Sequence, residues 1–270
     1  MFAELVQRLR GVTKGVAEVH ERPLRELGHG LRRVSGIGQT DEEIAQLVRG
    51  IDVREINRNL IDGLDYHQLN SALEGPLRYE RGDHALAQIL RRQGFDGPPR
   101  LVDAQGMREA IDAGWIEMSR GVRRLRDVAD FKTGNLFPGR GGNGSGTYMH
   151  GREPGSSEPD STRLREMAEH WAGDPGSADP GGVIRMAMHP DALLTDLNSL
   201  TAKRDTELAS IRAEWERQPE NSARRAELED RMSVLSDVGR YAAIKGYDAY
   251  RINDMHVWVV LNRTALIVEL

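Results

Sequence analysis

The sequence predicts an α+β fold with a mainly helical first part and a second part in which helices and strands alternate. Apolar residues recur at helical spacing near the start, as at Phe2, Leu5 and Leu9. In the second part apolar and polar residues alternate at several places, and strand-like segments close the sequence. We therefore predict a helical N-terminal region over residues 1–100 and an α+β domain over residues 101–270.

Within residues 1–100 two patterns predict helices and one predicts a domain boundary. Thr40 and Glu43 form a capping box, which is typical of a helix start. A second helix is predicted over residues 84–93, because Gly94 follows it as a left-handed stop. The pair Pro98-Pro99 then predicts a stiff turn or a domain boundary.

The predicted elements of the second part are separated by glycine-rich and proline-rich turns. A helix over residues 104–113 ends at Gly114, residues 115–120 alternate as a strand does, and Ser161 is a candidate helix cap. The later predicted elements are a strand at 146–149, a helix at 161–171, a strand at 183–188, a helical hairpin at about 195–236, a helix at 238–245, and strands near 248–252, 257–261 and 265–268. We interpret the hairpin as an insertion that packs by one face on the rest of the domain.

Composition excludes several classes of protein. The 270 residues include no cysteine, which excludes disulfides, thiolate nucleophiles, zinc-thiolate sites and iron–sulfur clusters, and which fits a reducing cytosol. The formal net charge is -5, from 37 basic and 42 acidic side chains, so a nucleic-acid partner is not indicated. The sequence has neither a run of about eighteen apolar residues nor a secretory signal, so we expect no membrane partner and no secretion.

Arg120 and Gly121 lie at the end of the strand predicted at 115–120. An arginine at a strand end can donate two parallel hydrogen bonds to a phosphate, and a glycine beside it lets a ligand approach the backbone. A solvated surface arginine is the alternative interpretation of this pair.

A glycine-rich run covers residues 139–146, in which five of eight residues are glycine. Such a backbone can line a ligand with its amide groups, and the run leads to Tyr148 on a predicted strand. It does not match the phosphate-binding loop Gly-x-x-x-x-Gly-Lys-Ser/Thr, and no apolar helix follows it as in a dinucleotide-binding fingerprint. A flexible glycine-rich hairpin is the alternative.

Other patterns that bear on chemistry are weak. The eight histidines are scattered without the helical spacing of a zinc site, so no metal is predicted. His150 and Ser156-Ser157 lack the Gly-x-Ser-x-Gly elbow of a hydrolase. Residues 239–249 place small residues between tyrosines and glycines, which favours close packing against a sheet.

Five segments, taken together and in order, resemble one family. They are residues 119–122, 142–148, 183–192, 239–250 and 258–268. Over about residues 84–270 the chain is similar to the ADP-ribosyltransferase-like domain of phage and prophage proteins, which is often near or fused to head morphogenesis proteins.

The resemblance implies a split β-sandwich that binds NAD in a cleft between two small antiparallel sheets. Arg120 would grip the phosphates, the glycine-rich run would surround the nicotinamide end, and Tyr148 would stack on the nicotinamide ring. The residues that the resemblance assigns to NAD binding are Arg120, Gly121, Asn143, Gly144, Ser145, Gly146, Thr147 and Tyr148.

The family has a catalytic Glu at the start of a late strand, where its carboxylate stabilises the positive charge that forms at C1 of the ribose. In this chain that strand start contains Asp254 and His256, and Glu269 lies at the far end of the last strand. The resemblance therefore implies a catalytic set of Arg120, Tyr148, Asp254 and His256. It leaves an active transferase, a weak NAD hydrolase and an inactive NAD-fold domain open.

The leading hypothesis is a mono-ADP-ribosyltransferase, toxin-like or phage-associated, that uses NAD to modify a macromolecule, with a protein as the expected acceptor. The alternatives are an NAD glycohydrolase and a catalytically degenerate domain that serves as a structural or packaged accessory protein of a phage. Under the resemblance the partners are NAD and phage capsid or host proteins, in the bacterial cytoplasm or the virion. We expect loops at 123–137 and 150–182 to select the acceptor.

Overall fold

The computed structural model describes residues 64–73, 83–134, 139, 141–173, 176, 180–252 and 256–270. All of them belong to a unit that spans Asn57–Leu270. The capping box at Thr40 and Glu43, and most of the predicted N-terminal region 1–100, lie outside the described residues.

The described part of the chain contains eight strands that form a single mixed sheet. They are β1 (Arg100–Val102), β2 (Ile116–Val122), β3 (Thr147–Gly151), β4 (Gly182–Met188), β5 (Leu194–Asp196), β6 (Ala249–Ile252), β7 (Val257–Val260) and β8 (Leu266–Glu269). Their order in the sheet is β1-β8-β4-β2-β3-β7-β6-β5. Neighbouring strands are antiparallel, except for β1 with β8 and β5 with β6, which are parallel.

Eight α-helices accompany the sheet within the described ranges. They are α1 (Tyr66–Ser71), α2 (His84–Gln93), α3 (Ala104–Asp112), α4 (Leu125–Thr133), α5 (Ser161–Glu169), α6 (Leu197–Glu216), α7 (Ala223–Leu235) and α8 (Val238–Ile244). A mixed sheet with this set of helices agrees with the predicted α+β class. No helix in the described ranges combines the length and the apolarity that crossing a bilayer requires.

The ends of the helices follow local chemistry. The helix predicted at 84–93 is confirmed, because the carboxylate of Asp83 accepts a hydrogen bond from the Leu86 N–H and Gly94 ends the helix with φ 71°. The cap of α5 is Asp160 instead of Ser161, since the Asp160 carboxylate accepts from Arg163 N–H at 2.8 Å. Residues 123–137 are not a simple loop, because α4 lies within them.

Helices cover one face of the sheet along β3, β6 and β7. Tyr250 and Val259 on this face lie in a hydrophobic cluster with residues of α1, α2, α6, α7 and α8. The predicted hairpin corresponds to α6 and α7, whose Leu200, Leu228 and Leu235 are buried in the same cluster. The hairpin, α1 and α2 therefore share one core with the last strands of the chain.

A second hydrophobic cluster lies on the opposite face and takes residues from both halves of the sheet. Met118 and Met186 come from β2 and β4, and Met149 and Trp258 come from β3 and β7. Helix α4 adds Phe131 to this cluster, and all five side chains are buried. Burial of such large apolar groups is the main force that holds the two halves together.

Candidate functional site

The centre of the sheet opens where β2 and β3 separate. These strands pair at Met118 with Gly151 and at Ser119 with His150. After Ser119, β2 pairs only with β4 among the described strands, as far as Val122. Among the same strands, the residues of β3 before His150 pair only with β7. The two central strands therefore have a gap between them that begins at Arg120.

Arg120 lies at this gap with unused hydrogen-bonding capacity. One terminal nitrogen donates to the backbone carbonyl of Tyr148 at 2.5 Å, whereas Nε is buried and has no hydrogen-bond partner among the described residues. Burial lowers the pKa of the guanidinium to about 10, although the charge of Asp127 on α4 opposes this. Asp127 forms its ion pair with Arg124 at 3.2 Å, and no carboxylate in the described ranges pairs with Arg120. Arg120 is thus a half-buried cation that can accept an anionic ligand.

The side chains of Arg120 and Tyr148 leave the sheet on opposite faces. Residues paired across antiparallel strands share a face, so Ser119 and His150 lie on one face. Because side chains alternate along a strand, Tyr148 lies on that face and Arg120 on the other. Arg120 consequently contacts the main chain of Tyr148, and the structure does not bring the two side chains together.

The tip of the glycine-rich run covers the ring of Tyr148. The Tyr148 hydroxyl donates to the Gly144 carbonyl at 2.7 Å and accepts from Asn143 N–H at 3.1 Å. A Cβ placed on Gly141 would lie 2.2 Å from the ring, so only glycine permits this approach. Burial raises the pKa of Tyr148, which remains a neutral hydrogen-bonding group at physiological pH. The Tyr148 hydroxyl therefore stabilises the glycine-rich run that precedes it in the chain.

Ser145 ties the base of the same run to the N-termini of two helices. Its hydroxyl donates to Asp83, the cap of α2, at 2.7 Å, and its N–H donates to Asp237, the cap of α8, at 3.0 Å. Arg240 forms an ion pair with Asp83 at 2.8 Å, and both side chains are buried. Burial raises the pKa of Asp83, but the charge of Arg240 and the hydrogen bonds from Leu86 and Ser145 outweigh it, so this pKa lies below its ordinary value.

Two glycines make the approach of the run to α8 possible. Gly144 has φ 105°, which favours glycine, and a Cβ there would lie 2.5 Å from the Tyr250 hydroxyl. A Cβ on Gly239 would lie 1.7 Å from the carbonyl oxygen of Ser145. Gly146 and Thr147 lead from this contact into β3. The expected close packing of residues 239–249 is confirmed, with the glycine-rich run as the partner beside the sheet.

Gly121 faces a helix in this structure. A Cβ on Gly121 would lie 2.0 Å from the carbonyl oxygen of Ala168, near the end of α5. The absence of a side chain therefore lets α5 pack directly on β2. The expected approach of a ligand to this backbone stays a prediction.

The third predicted motif is described only in part. Asp254 lies outside the described residues, and His256 precedes β7 with φ 48°. The carbonyl of His256 accepts from Gly151 N–H at 2.9 Å, and the ring Nδ1 of His256 is buried with no hydrogen-bond partner in the described part of the chain. Burial, followed by the charges of His256 and His170, lowers the pKa of His150. The structure therefore associates His256 with His150 at the paired end of β2 and β3.

Glu117 is the chemically prominent residue that sequence reasoning missed. Its side chain is 2% exposed and accepts hydrogen bonds from Arg152, Arg185 and Ser161 at 2.6, 2.8 and 2.7 Å. It lines an open cleft of about 1150 Å³ between β2, β4 and α5, on the face opposite Arg120. Polar residues alternate along this strand, but no local signal identifies arginines so distant in sequence as its partners. Two guanidinium groups neutralise the Glu117 carboxylate. We therefore assign Glu117 a structural role, in which it joins β2 to β4 and α5.

Within the described ranges, no group of three or more His, Asp or Glu side chains has the arrangement of a metal site. No protein-family model, curated protein or solved structure matches this chain. The resemblance to the ADP-ribosyltransferase-like domain therefore stays a prediction from the sequence motifs.

Proposed function

We propose that the chain binds NAD at the gap between β2 and β3 and transfers ADP-ribose to a macromolecular acceptor. Arg120 carries this proposal, because within the described ranges its buried Nε has no hydrogen-bond partner and no carboxylate forms an ion pair with it, although the charge of Asp127 acts on it from α4. A planar guanidinium binds the pyrophosphate of a dinucleotide well, because it can donate charge-assisted hydrogen bonds to the phosphate oxygens.

The connection at the centre of the sheet supports the split β-sandwich. Only the pairs Met118–Gly151 and Ser119–His150 join β2 to β3, whereas β2 pairs with β4 over its full length. The cluster that contains Met118 and Trp258 takes side chains from both halves. All eight strands belong to one sheet, and its weakly joined centre and shared cluster support a split sandwich, in which two half-sheets pack face to face.

In ADP-ribosyl transfer the bond between nicotinamide and ribose breaks, nicotinamide leaves with the bonding electrons, and an acceptor nucleophile forms the new bond at C1. The chain's contribution at Arg120 is to hold the pyrophosphate so that C1 stays fixed. A carboxylate near C1 would stabilise the developing positive charge. The sequence motif assigns this role to Asp254, with His256 close to it in the chain; His256 itself contacts Gly151 at the paired end of β2 and β3.

A catalytically inactive structural or packaged protein of a phage is the second candidate. The close approach of Gly141 to the Tyr148 ring favours it, because this ring is the one proposed to stack on nicotinamide. The neutralised Glu117 also offers no free carboxylate on the other side of β2.

Incubation with labelled NAD and a bacterial lysate tests the proposal. We expect wild-type protein to label one or more proteins and the Arg120→Ala variant to lose most of the labelling. Arg126→Ala is the matched control, because Arg126 is an exposed arginine on the nearby α4.

Three outcomes separate the candidates. Labelling that depends on Arg120 but not on Arg126 supports the transferase. Free nicotinamide without labelled protein identifies an NAD glycohydrolase. Labelling that is equal in all three proteins, or a complete lack of both products, contradicts the proposal and favours the structural candidate.

A further inference from the structure

The glycine-rich run has a tip and a base that are held by different kinds of contact. The tip, residues 141–144, is a turn in which Gly144 N–H donates to the Gly141 carbonyl at 3.2 Å. Gly141, Gly142 and Asn143 are exposed, whereas Ser145 is 1% exposed. Gly144, the last residue of the tip, is also buried, so the exposed part of the tip, residues 141–143, continues directly into buried chain.

The base is fixed by charge. Ser145 contacts the carboxylates of Asp83 and Asp237, and Gly146 N–H donates to the Gly139 carbonyl at 2.9 Å. Hydrogen bonds to buried charged groups are among the strongest in proteins. Opening the base would also leave the Asp83 network incomplete, which is costly in a buried site.

Gly144 packs against the start of α8, and two tyrosine hydroxyls supply the hydrogen bonds that fix the tip to the rest of the structure. Tyr148 bonds to both Gly144 and Asn143, and the Tyr250 hydroxyl donates to the Asn143 carbonyl at 2.8 Å. These are hydrogen bonds between neutral groups, two of them partly buried and one exposed, so each adds only a modest net stabilisation compared with the bonds to carboxylates at the base. The tip can therefore open while the base stays closed.

We propose that residues 141–144 form a strap that closes over the Tyr148 ring, with the Tyr250 hydroxyl as its latch and Ser145 as its fixed anchor. When the strap opens, the ring of Tyr148 becomes available to a planar aromatic ligand. That this ligand is the nicotinamide of NAD rests on the proposed function. Tyr250 acts as a positioning residue, because its hydroxyl bonds to the Asn143 carbonyl of the strap.

Tyr250→Phe tests the latch, because the Tyr250 ring is fully buried and phenylalanine keeps its packing. Amide hydrogen exchange measured by NMR gives separate exchange rates for the amides of the tip and of the base, and the measurement needs no ligand. We expect the Asn143 amide to exchange about fivefold faster, as loss of one such hydrogen bond predicts. The Ser145 and Gly146 amides should keep their wild-type rates.

Tyr241→Phe is the matched control. Tyr241 belongs to the same hydrophobic cluster and is 3% exposed, and its hydroxyl bonds to Glu207 instead of the strap. It should leave exchange at Asn143 unchanged. An unchanged Asn143 rate in Tyr250→Phe overturns the strap, and so does equal acceleration at Ser145, which would show that the whole run loosens.

Titration with NAD then tests what the strap controls. A ligand that needs the open strap should bind Tyr250→Phe up to about fivefold more tightly than wild type. If exchange at the tip accelerates while NAD affinity stays the same, the strap does not gate the ring. If no variant binds NAD, the proposed function fails, and the exchange rates alone decide whether the strap exists.

Discussion

Gly239→Ala is the sharpest test of how the glycine-rich run is held. Gly239 lies in α8, where alanine alone would stabilise the helix by up to about 1 kcal/mol. In this structure the added Cβ would lie 1.7 Å from the Ser145 carbonyl oxygen. Ordinary contact is about 3.5 Å, so the run must retreat by roughly 1.8 Å and weaken the bonds from Ser145 to Asp83 and Asp237. We expect a net loss of about 3 kcal/mol.

Urea unfolding followed by circular dichroism measures this loss as a change in the free energy of unfolding. Gly142→Ala is the control, because a Cβ at Gly142 meets no atom within 4 Å. Its stability should stay within about 0.5 kcal/mol of wild type. A Gly239→Ala variant that is as stable as wild type, or more stable, would refute the contact between α8 and the run.

Two further variants test buried charges. Asp83→Asn leaves Arg240 buried without its carboxylate, so unfolding at pH 7 should become easier by about 3 kcal/mol. The pKa of Asp83 is lower in the folded protein, so its contribution to stability is present above its ordinary pKa of 3.8 and is lost as the pH falls through the folded value. The free energy of unfolding of the variant should therefore depend less on pH in this range than that of wild type. Burial lowers the pKa of His150, so the free energy of unfolding of wild type should fall as the pH drops below 6.5. Urea unfolding at pH 8 and 5.5 measures this fall, and His150→Gln should remove part of it. Wild-type slopes in either variant would contradict these assignments.

Periodicity and turn chemistry predict most of the elements in the second part of the chain. Gly94 stops α2, and the alternation at 115–120 marks β2, because both signals are local. The strands β1 and β5 are three residues each, too short for a periodic pattern to show. Each depends on pairing with a strand far along the chain, which no local signal records.

The motifs of the candidate site are visible in the sequence, but their contacts are not. The sequence predicts close packing for the segment around Gly239 and a ligand-lining or flexible backbone for the run around Gly144, but the contact between them joins positions far apart in the chain. The face on which Tyr148 lies follows from its register with β2, which a single sequence does not fix. Glu117 was missed for the same reason, since Arg152 and Arg185 reach it from other elements.

Calorimetric titration with NAD tests the central claim, that Arg120 at the gap between β2 and β3 holds the pyrophosphate. We expect saturable binding by wild type and by the Arg126→Ala control, and binding weakened about tenfold to a hundredfold in Arg120→Ala, as loss of charge-assisted hydrogen bonds predicts. Equal affinity in Arg120→Ala, or no saturable heat from the wild-type protein, would contradict the account.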